Sequence, residues 1–285
     1  MRERFAPSPT GLLHLGHAFS ALTAWRAAKE ANGTFLLRIE DIDFNRCRPE
    51  FEQAIYDDLH WLGLDWPLPV MRQSTRFSAY KAALNQLIDK GLCYPCRCTR
   101  RDIAMAASAP QEGMQAQGDE TLIYPGTCRN RPISERMAGD AIRLDMTAAI
   151  DHLGGDRALS QLTWLEIGSG FATEHALSAK DFRLHHGDIV LARRDIGTSY
   201  HLAVVVDDAE QAITHVTRGQ DMAEATPIHR LLQALLDLPT PIYRHHRLIR
   251  DAQQKRLAKR DNARAIRRYR DDGLSPDAMM RLLSL

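Results

Sequence analysis

The chain has 285 residues, 44% hydrophobic and 26% charged, with a formal net charge of +1. That composition excludes a disordered or fibrous chain, and the length suits one large domain with an insertion or two modest domains. The lack of any run of 18 apolar residues excludes a membrane-spanning segment, and five cysteines, an odd number, argue against a disulfide framework.

In chain order, Met1 to Pro7 holds no apolar leader core, so the cytoplasm is the expected compartment and no membrane partner is expected. Arg4–Ala6 reads as a short strand and Pro7–Gly11 as a turn. A helix is expected from about Gly16 to Asn32, with Ala21, Trp25 and Ala28 on one face and Gly33 just past its end. Thr34–Ile39 reads as a buried strand. Pro49 opens a helix with the stripe Phe51, Ile55, Leu59 and Leu62, and Phe77–Lys90 forms another, stopped by Gly91. Residues 93–135 hold four of the five cysteines and read mostly as loop, with 104–120 as a mobile insertion. Ala141–Met146 and Leu162–Ile167 are expected strands. Further β signals lie at Asp188–Leu191, Leu202–Val206 and Ile213–Thr217. The second of these is a continuous apolar run, as in a strand covered on both faces. A helix starts at Thr226–Pro227 and carries Leu231, Leu232, Leu235 and Leu236. The C-terminal end is basic. Between Arg244 and Arg270, 11 Lys and Arg stand against two Asp, a local charge of +9 that leaves −8 for the rest. Such an end suits a polyanion such as ATP or RNA, and equally a solvated basic helix.

Strands alternating with helices predict an α/β fold with a parallel sheet, interrupted by an insertion. The strongest chemical signal is Pro7-Ser8-Pro9-Thr10-Gly11-Leu12-Leu13-His14-Leu15-Gly16-His17, a strand and turn that open a helix. Gly16 lets a base or phosphate approach the backbone, and a helix N-terminus offers unpaired N–H groups. His14 and His17 share a face and can donate to phosphate oxygens as charge develops. Taken alone, a histidine at a helix start is as readily a cap.

The whole string resembles the signature of class I aminoacyl-tRNA synthetases of the glutamyl/glutaminyl branch. Phe35-Leu36-Leu37-Arg38-Ile39-Glu40-Asp41-Ile42-Asp43 resembles that family's "LRIEDTD" strand. Tyr200-His201-Leu202-Ala203-Val204-Val205-Val206-Asp207-Asp208, followed by Val216-Thr217-Arg218-Gly219-Gln220-Asp221, resembles its later block. The pentad Arg256-Leu257-Ala258-Lys259-Arg260 stands where the family carries "KMSKS", and keeps its second lysine, Lys259. Arg256 and Arg260 can supply charge there, while the Ser hydroxyls are lost.

The chain ends 25 residues after Arg260, so no anticodon-binding domain is expected. This makes the resemblance closest to the family's truncated branch, which attaches glutamate to the queuosine base in the anticodon of tRNA(Asp). Val204, where discriminating glutamyl synthetases often carry Asn, agrees with that branch. So does Cys96-Arg97-Cys98 with Tyr124-Pro125-Gly126-Thr127-Cys128. The resemblance implies Cys96, Cys98, Tyr124 and Cys128 as ligands of a structural zinc. Three thiolates and one oxygen donor can close a tetrahedral site. Cys93-x-x-Cys96 is itself a zinc spacing, so an all-thiolate set of Cys93, Cys96, Cys98 and Cys128 stays open, as do plain buried thiols. Cys47 reads as a lone structural thiol.

The resemblance further implies ATP binding, with Mg²⁺ on the phosphates, at His14, Gly16, His17 and Lys259. His14, His17 and Lys259 would be catalytic. It implies glutamate binding at Arg4, Ala6, Ser8, Glu40, Tyr200 and Arg218. There Arg4 would meet the side-chain carboxylate, Arg218 would approach the substrate, and Glu40 would receive the α-ammonium. The expected fold is a Rossmann-like catalytic domain in two halves, 1–90 and 186–240. A zinc-bearing insertion would span 91–185, and a KMSKS-like loop with a short helical region 241–285. The expected partners are ATP, L-glutamate and the tRNA(Asp) anticodon arm, and the expected state is a monomer. Two alternatives remain at this point: an enzyme charging a tRNA 3′ end, and an inactive RNA-binding paralogue.

Overall fold

A computed structural model describes residues 1–108, 123–168, 171–249 and 264–285. The pentad Arg256–Arg260, with Lys259, and most of the 104–120 segment lie outside the described residues. The chain opens with β1 (Arg2–Phe5). Helix α1 (Leu15–Glu30) leads to β2 (Thr34–Ile39), α2 (Pro49–Trp61), β3 (Met71–Arg72) and α3 (Phe77–Asp89). β1, β2 and β3 form a parallel sheet in that order, as helical crossovers between strands require.

The next segment holds β4 (Cys93–Cys96), α4 (Arg100–Ser108), β5 (Ala141–Leu144), α5 (Met146–His152) and α6 (Gly155–Leu159). The expectation of mostly loop over 93–135 is corrected here, since β4 pairs antiparallel with β5. Asp145 ends β5 and caps α5, its carboxylate accepting from Ala148 N. β6 (Thr163–Ile167) and β7 (Ala172–Ala176) form a hairpin, and α7 (Ala179–Asp181) follows. β8 (Val190–Ala192) pairs antiparallel with β5, giving a three-stranded sheet β4-β5-β8.

Leu202–Val206 is not a strand, which overturns the sequence expectation. These residues lie in helix α8 (Tyr200–Glu210), whose N-cap Ser199 accepts from Leu202 N. A short apolar run marks burial on all sides but cannot separate a buried strand from a buried helix. Leu202, Ala203, Val204 and Val205 are all buried, while Asp207 and Asp208 turn to polar partners described below. After α8 come β9 (His215–Gly219), α9 (Ala225–Leu235), β10 (Ile242–His246), α10 (Ile266–Asp271) and α11 (Pro276–Leu282).

β6, β10 and β9 run parallel, with β7 antiparallel at the outer edge. β9 lies beside β1: Thr214 N donates to the Arg2 carbonyl, and the buried Glu3 carboxylate accepts from Thr217 N and Oγ1. The parallel sheet of an α/β fold is therefore present, assembled from strands at both ends of the chain. Its C-terminal strand ends carry Glu40, Arg218 and His245, the edge at which such folds build sites. One apolar core lies under α8 and α9, and a second joins α1, β1, β2 and α2 to α10 and α11. No helix among the described residues is long and apolar enough to cross a membrane.

Candidate active site and metal knuckle

The first cluster is built at the start of α1. His14 is the N-cap, its Nδ1 accepting from Gly16 N at 3.1 Å, while His17 Nδ1 accepts from His14 N at 3.1 Å. The capping reading of His14 is thus correct, and it carries a consequence. A neutral imidazole that accepts at Nδ1 holds its proton on Nε2, so both rings are Nε2–H donors. The rings lie 3.8 Å apart between centroids. A Cβ on Gly16 would stand 3.1 Å from the His14 ring, so glycine leaves room for the ring to fold over the cap.

The flanks of the Lys259 segment are pinned to this same helix. On one side His246 Nε2 lies 2.5 Å from Ser20 Oγ, and its ring meets Phe19 edge-on. On the other side Ala265 bridges to His14, and Ile266 N donates to the Leu13 carbonyl at 2.8 Å.

The second cluster lies across the sheet end. Arg4 from β1 donates to both oxygens of Asp208 from α8, at 3.0 and 3.3 Å. Arg38 from β2 donates to Asp208 at 2.7 Å and to Glu40 at 3.1 Å. All four are buried. Two guanidiniums and two carboxylates make the quartet neutral, as burial demands. Burial alone would raise Asp208, but Arg4 and Arg38 hold it below the usual carboxylate range. For Glu40 burial dominates and raises the group despite Arg38 and Arg4.

Arg218 on β9 differs. It is 7% exposed, and the partners found for it are uncharged. It donates from Nε to His245 Nε2 at 3.1 Å, from Nη2 to Thr226 Oγ1 at 2.7 Å, and from Nη1 toward Tyr200 OH at 3.5 Å. Nη1 also stands 3.3 Å from His229 Nδ1. Burial, then the Arg218 charge, pushes His229 well below the usual histidine range and His201 down to about 4. His245 is lowered too, by burial first. These imidazoles are neutral at pH 7, so among the described residues no carboxylate pairs with Arg218 in this low-dielectric site. Such a site suits a carboxylate, which a guanidinium fork can grip with two bonds. Tyr200 lies within electrostatic reach of Arg218, Glu40, Arg4 and Asp208, so it stands between the two clusters. Ala6 and Ser8 lie half-buried on the chain just beyond β1, where Glu40 N donates to the Pro7 carbonyl.

A third cluster forms at the end of β4. The sulfurs of Cys96, Cys98 and Cys128 all lie within 4.8 Å of one another, and Cys98 and Cys128 stand 3.6 Å apart. Tyr124 OH lies 3.4 Å from both Cys96 and Cys98 Sγ and accepts from Cys128 N. Four ligands at zinc bond lengths put sulfurs about 3.8 Å apart, so the set fits a tetrahedral ion. The tight return from Tyr124 to Cys128 uses Gly126 at φ +83°, where a side chain would be strained. Arg143 lies 3.8 Å above the Tyr124 ring, and Asp188 binds Arg129, Tyr94 OH and Met146 N, tying the knuckle to the sheet. The all-cysteine set is not brought together. Cys93 packs on the main core, where burial pushes its thiol up to about 12.

The sequence profile described as "tRNA synthetases class I (E and Q), catalytic domain" matches residues 1–135 and 177–285. The chain belongs to the class I (E and Q) tRNA synthetases. Within that family it is 51% identical, over the whole of both chains, to a Rhodobacter capsulatus protein named Glutamyl-Q tRNA(Asp) synthetase. A protein of the same name from Nitratidesulfovibrio vulgaris is 39% identical over 96% of this chain and 82% of its own. Among solved structures it resembles a glutamate tRNA ligase from Elizabethkingia meningosepticum in complex with its amino acid, with a TM-score of 0.75 and 26% identity. The chain spans 60% of that ligase's length.

In this class I synthetase fold, His14, Gly16 and His17 come together at one helix start. Arg4, Glu40, Tyr200 and Arg218 come together at the neighbouring sheet end. Sequence reasoning quoted Arg38 and Asp208 inside its motifs without giving them roles. The signal was present: a charged residue inside an apolar strand or run needs a buried partner. Thr226, His229 and His245, which hold Arg218, had no motif to mark them.

Proposed function

We propose that this chain activates L-glutamate with ATP and transfers the glutamyl group to the queuosine base in the anticodon of tRNA(Asp). The observation that carries this reading is the 51% identity over full length to a protein named for that reaction. The pocket chemistry supports it. In this reading Arg218 holds the glutamate side-chain carboxylate, in place of Arg4 as the resemblance implied, since Arg4 is paired with Asp208. Glu40 and Tyr200 meet the amino-acid head group, and Ser8 and the Ala6 backbone line the approach.

In the first step a glutamate α-carboxylate oxygen attacks the α-phosphorus of ATP. The bond to pyrophosphate breaks, and glutamyl-adenylate remains. The Nε2–H groups of His14 and His17 donate to the phosphate oxygens as charge grows, beside the open backbone at Gly16. Lys259 adds a cation from the segment whose flanks are pinned to α1. Mg²⁺ arrives on ATP as part of that substrate. In the second step a hydroxyl of the queuosine cyclopentene ring attacks the glutamyl carbonyl carbon, an ester forms and AMP leaves. No side chain is asked to act as a covalent nucleophile, so the rate rests on positioning and charge.

Cys96, Cys98, Tyr124 and Cys128 would hold a structural zinc, which fixes the knuckle rather than entering the chemistry. The anticodon arm docks near residues 91–185, with weak, salt-sensitive binding. The test is transfer of labelled glutamate to three acceptors: tRNA(Asp) with queuosine, tRNA(Asp) with guanosine, and tRNA(Glu). Label on the first alone supports the reading. Label on tRNA(Glu) returns the chain to ordinary aminoacylation, and no label without ATP–pyrophosphate exchange makes it an inactive paralogue.

A further inference from the structure

The grip on Arg218 extends one residue further than the family motifs reach. His245 Nε2 accepts from Arg218 Nε, and an arginine can only donate, so the neutral ring carries its proton on Nδ1. That Nδ1 is buried and stands 2.9 Å from Glu166 Oε1 on β6. The approach is close but not in line, so it is a short charge–dipole contact rather than a straight hydrogen bond. The other carboxylate oxygen of Glu166 faces His175 on β7 at 3.8 Å, and the His175 ring stacks on Trp164. Glu166 is thus held from its far side by the hairpin. It lies outside the segments matched by the synthetase profile, which omits 136–176.

We propose that Glu166 is a positioning residue for glutamate selection, acting through His245 on Arg218. Resting on the glutamate-binding reading of Arg218, the proposal names what keeps that side chain aimed. The Glu166 carboxylate favours the Nδ1–H tautomer of His245. That tautomer leaves a lone pair on Nε2, which fixes the guanidinium plane. Without an acceptor at position 166, a buried Nδ1–H has no counterpart. The ring is then no longer held on its Nδ1 side and is free to turn its Nε2 away from Arg218 Nε. A carboxylate or carbonyl that accepts the far ring N–H fixes the imidazole tautomer in the same way around metal-bound histidines.

The experiment compares Glu166→Met, which removes the acceptor at similar volume, with Glu166→Gln, which keeps an acceptor oxygen. Steady-state ATP–pyrophosphate exchange is measured against glutamate and against ATP. Nitrogen-15 NMR reads the His245 tautomer. Glu166→Met is expected to raise KM for glutamate about tenfold, the loss of one hydrogen bond to a charged group, with KM for ATP unchanged. Its His245 ring is expected to lose the fixed Nδ1–H form and to show nitrogen-15 shifts averaged between the two tautomers. Glu166→Gln is expected to stay within about twofold of wild type and to keep Nδ1–H. An unchanged KM for glutamate in Glu166→Met, or equal rises for glutamate and ATP, overturns the proposal. So does Nε2–H in the wild-type chain, a measurement that needs no variant to fold. Failure of the glutamate reading itself looks different: the wild-type chain shows no glutamate-dependent exchange, and the tautomer spectra then decide the role of Glu166 alone.

Discussion

Arg4, Arg38 and Arg218 are all buried, and their partners separate their roles. Arg4 and Arg38 spend their charge on Asp208 and Glu40. Arg218 meets neutral histidines, a threonine and a tyrosine. Arg218→Ala is therefore expected to raise KM for glutamate by about 100-fold or more, the worth of a charge-assisted pair in a desolvated site. Arg218→Lys is expected to recover little of this, because a single ammonium cannot reproduce the fork. Glutamate titration of ATP–pyrophosphate exchange checks both.

A second residue-scale prediction concerns stability. Asp58 on α2 is 1% exposed, its two oxygens have no hydrogen-bond partner among the described residues, and Arg270 Nη1 stands 3.6 Å away. Burial raises its pKa from 3.8 to about 6, against the pull of Arg270 and Arg267. Between those values the folded chain binds more protons than the unfolded one. Stability from this group therefore falls as pH rises through that window, and the penalty is complete above it. Asp58→Asn is expected to stabilise the fold at pH 7 by up to about 3 kcal/mol, with the gain shrinking toward pH 4. Urea unfolding of both chains at the two pH values measures this difference.

At the scale of elements, helix α8 shows what sequence patterning left undecided. Val204, Val205 and their neighbours are apolar because they are covered on every side, and that fits strand and helix alike. The deciding local signal was Ser199, a helix cap placed just before the run. Once α8 is a helix, Asp207 and Asp208 point to different partners. Asp207 accepts from Gln73, Arg76 and Tyr80, and Asp208 accepts from Arg4 and Arg38. The helix at α1 and strand β2 were legible from their own periodicity. β10 was not, because Tyr243, Arg244, His245 and His246 carry the polar groups of a site instead of an apolar pattern.

The knuckle that follows β4 is the other element with a test. Its cluster of Tyr94, Cys96, Tyr124 and Cys128 is small and separate from the two larger cores. A core of this size is not self-sufficient, so a metal is expected to supply its stability. One zinc per chain is expected by elemental analysis of the purified protein. Cys128→Ser is expected to lose it, with increased hydrogen exchange over 94–98 and 124–131. Exchange in β1, β2 and α8 is expected to be unchanged.

At the scale of the molecule, the two ends of the chain complete one site. β9 lies beside β1 with β10 on its far side, and α10 and the C-terminal end pack on α1 and α2 through Ile266, Met279 and Leu283. The motifs of the first 40 residues thus meet those after residue 200 at one sheet edge. Their order and types were readable in the sequence because the chemistry restricts them. Their meeting depends on strand order, which no local pattern encodes.

The proposed acceptor is a base in the anticodon and not the terminal ribose. The most direct measurement is the location of label after transfer of radioactive glutamate to queuosine-bearing tRNA(Asp), followed by removal of the 3′ end and cleavage into arms. The label is expected to stay with the anticodon fragment. Label released with the 3′-terminal adenosine would contradict it and assign the chain to ordinary aminoacylation.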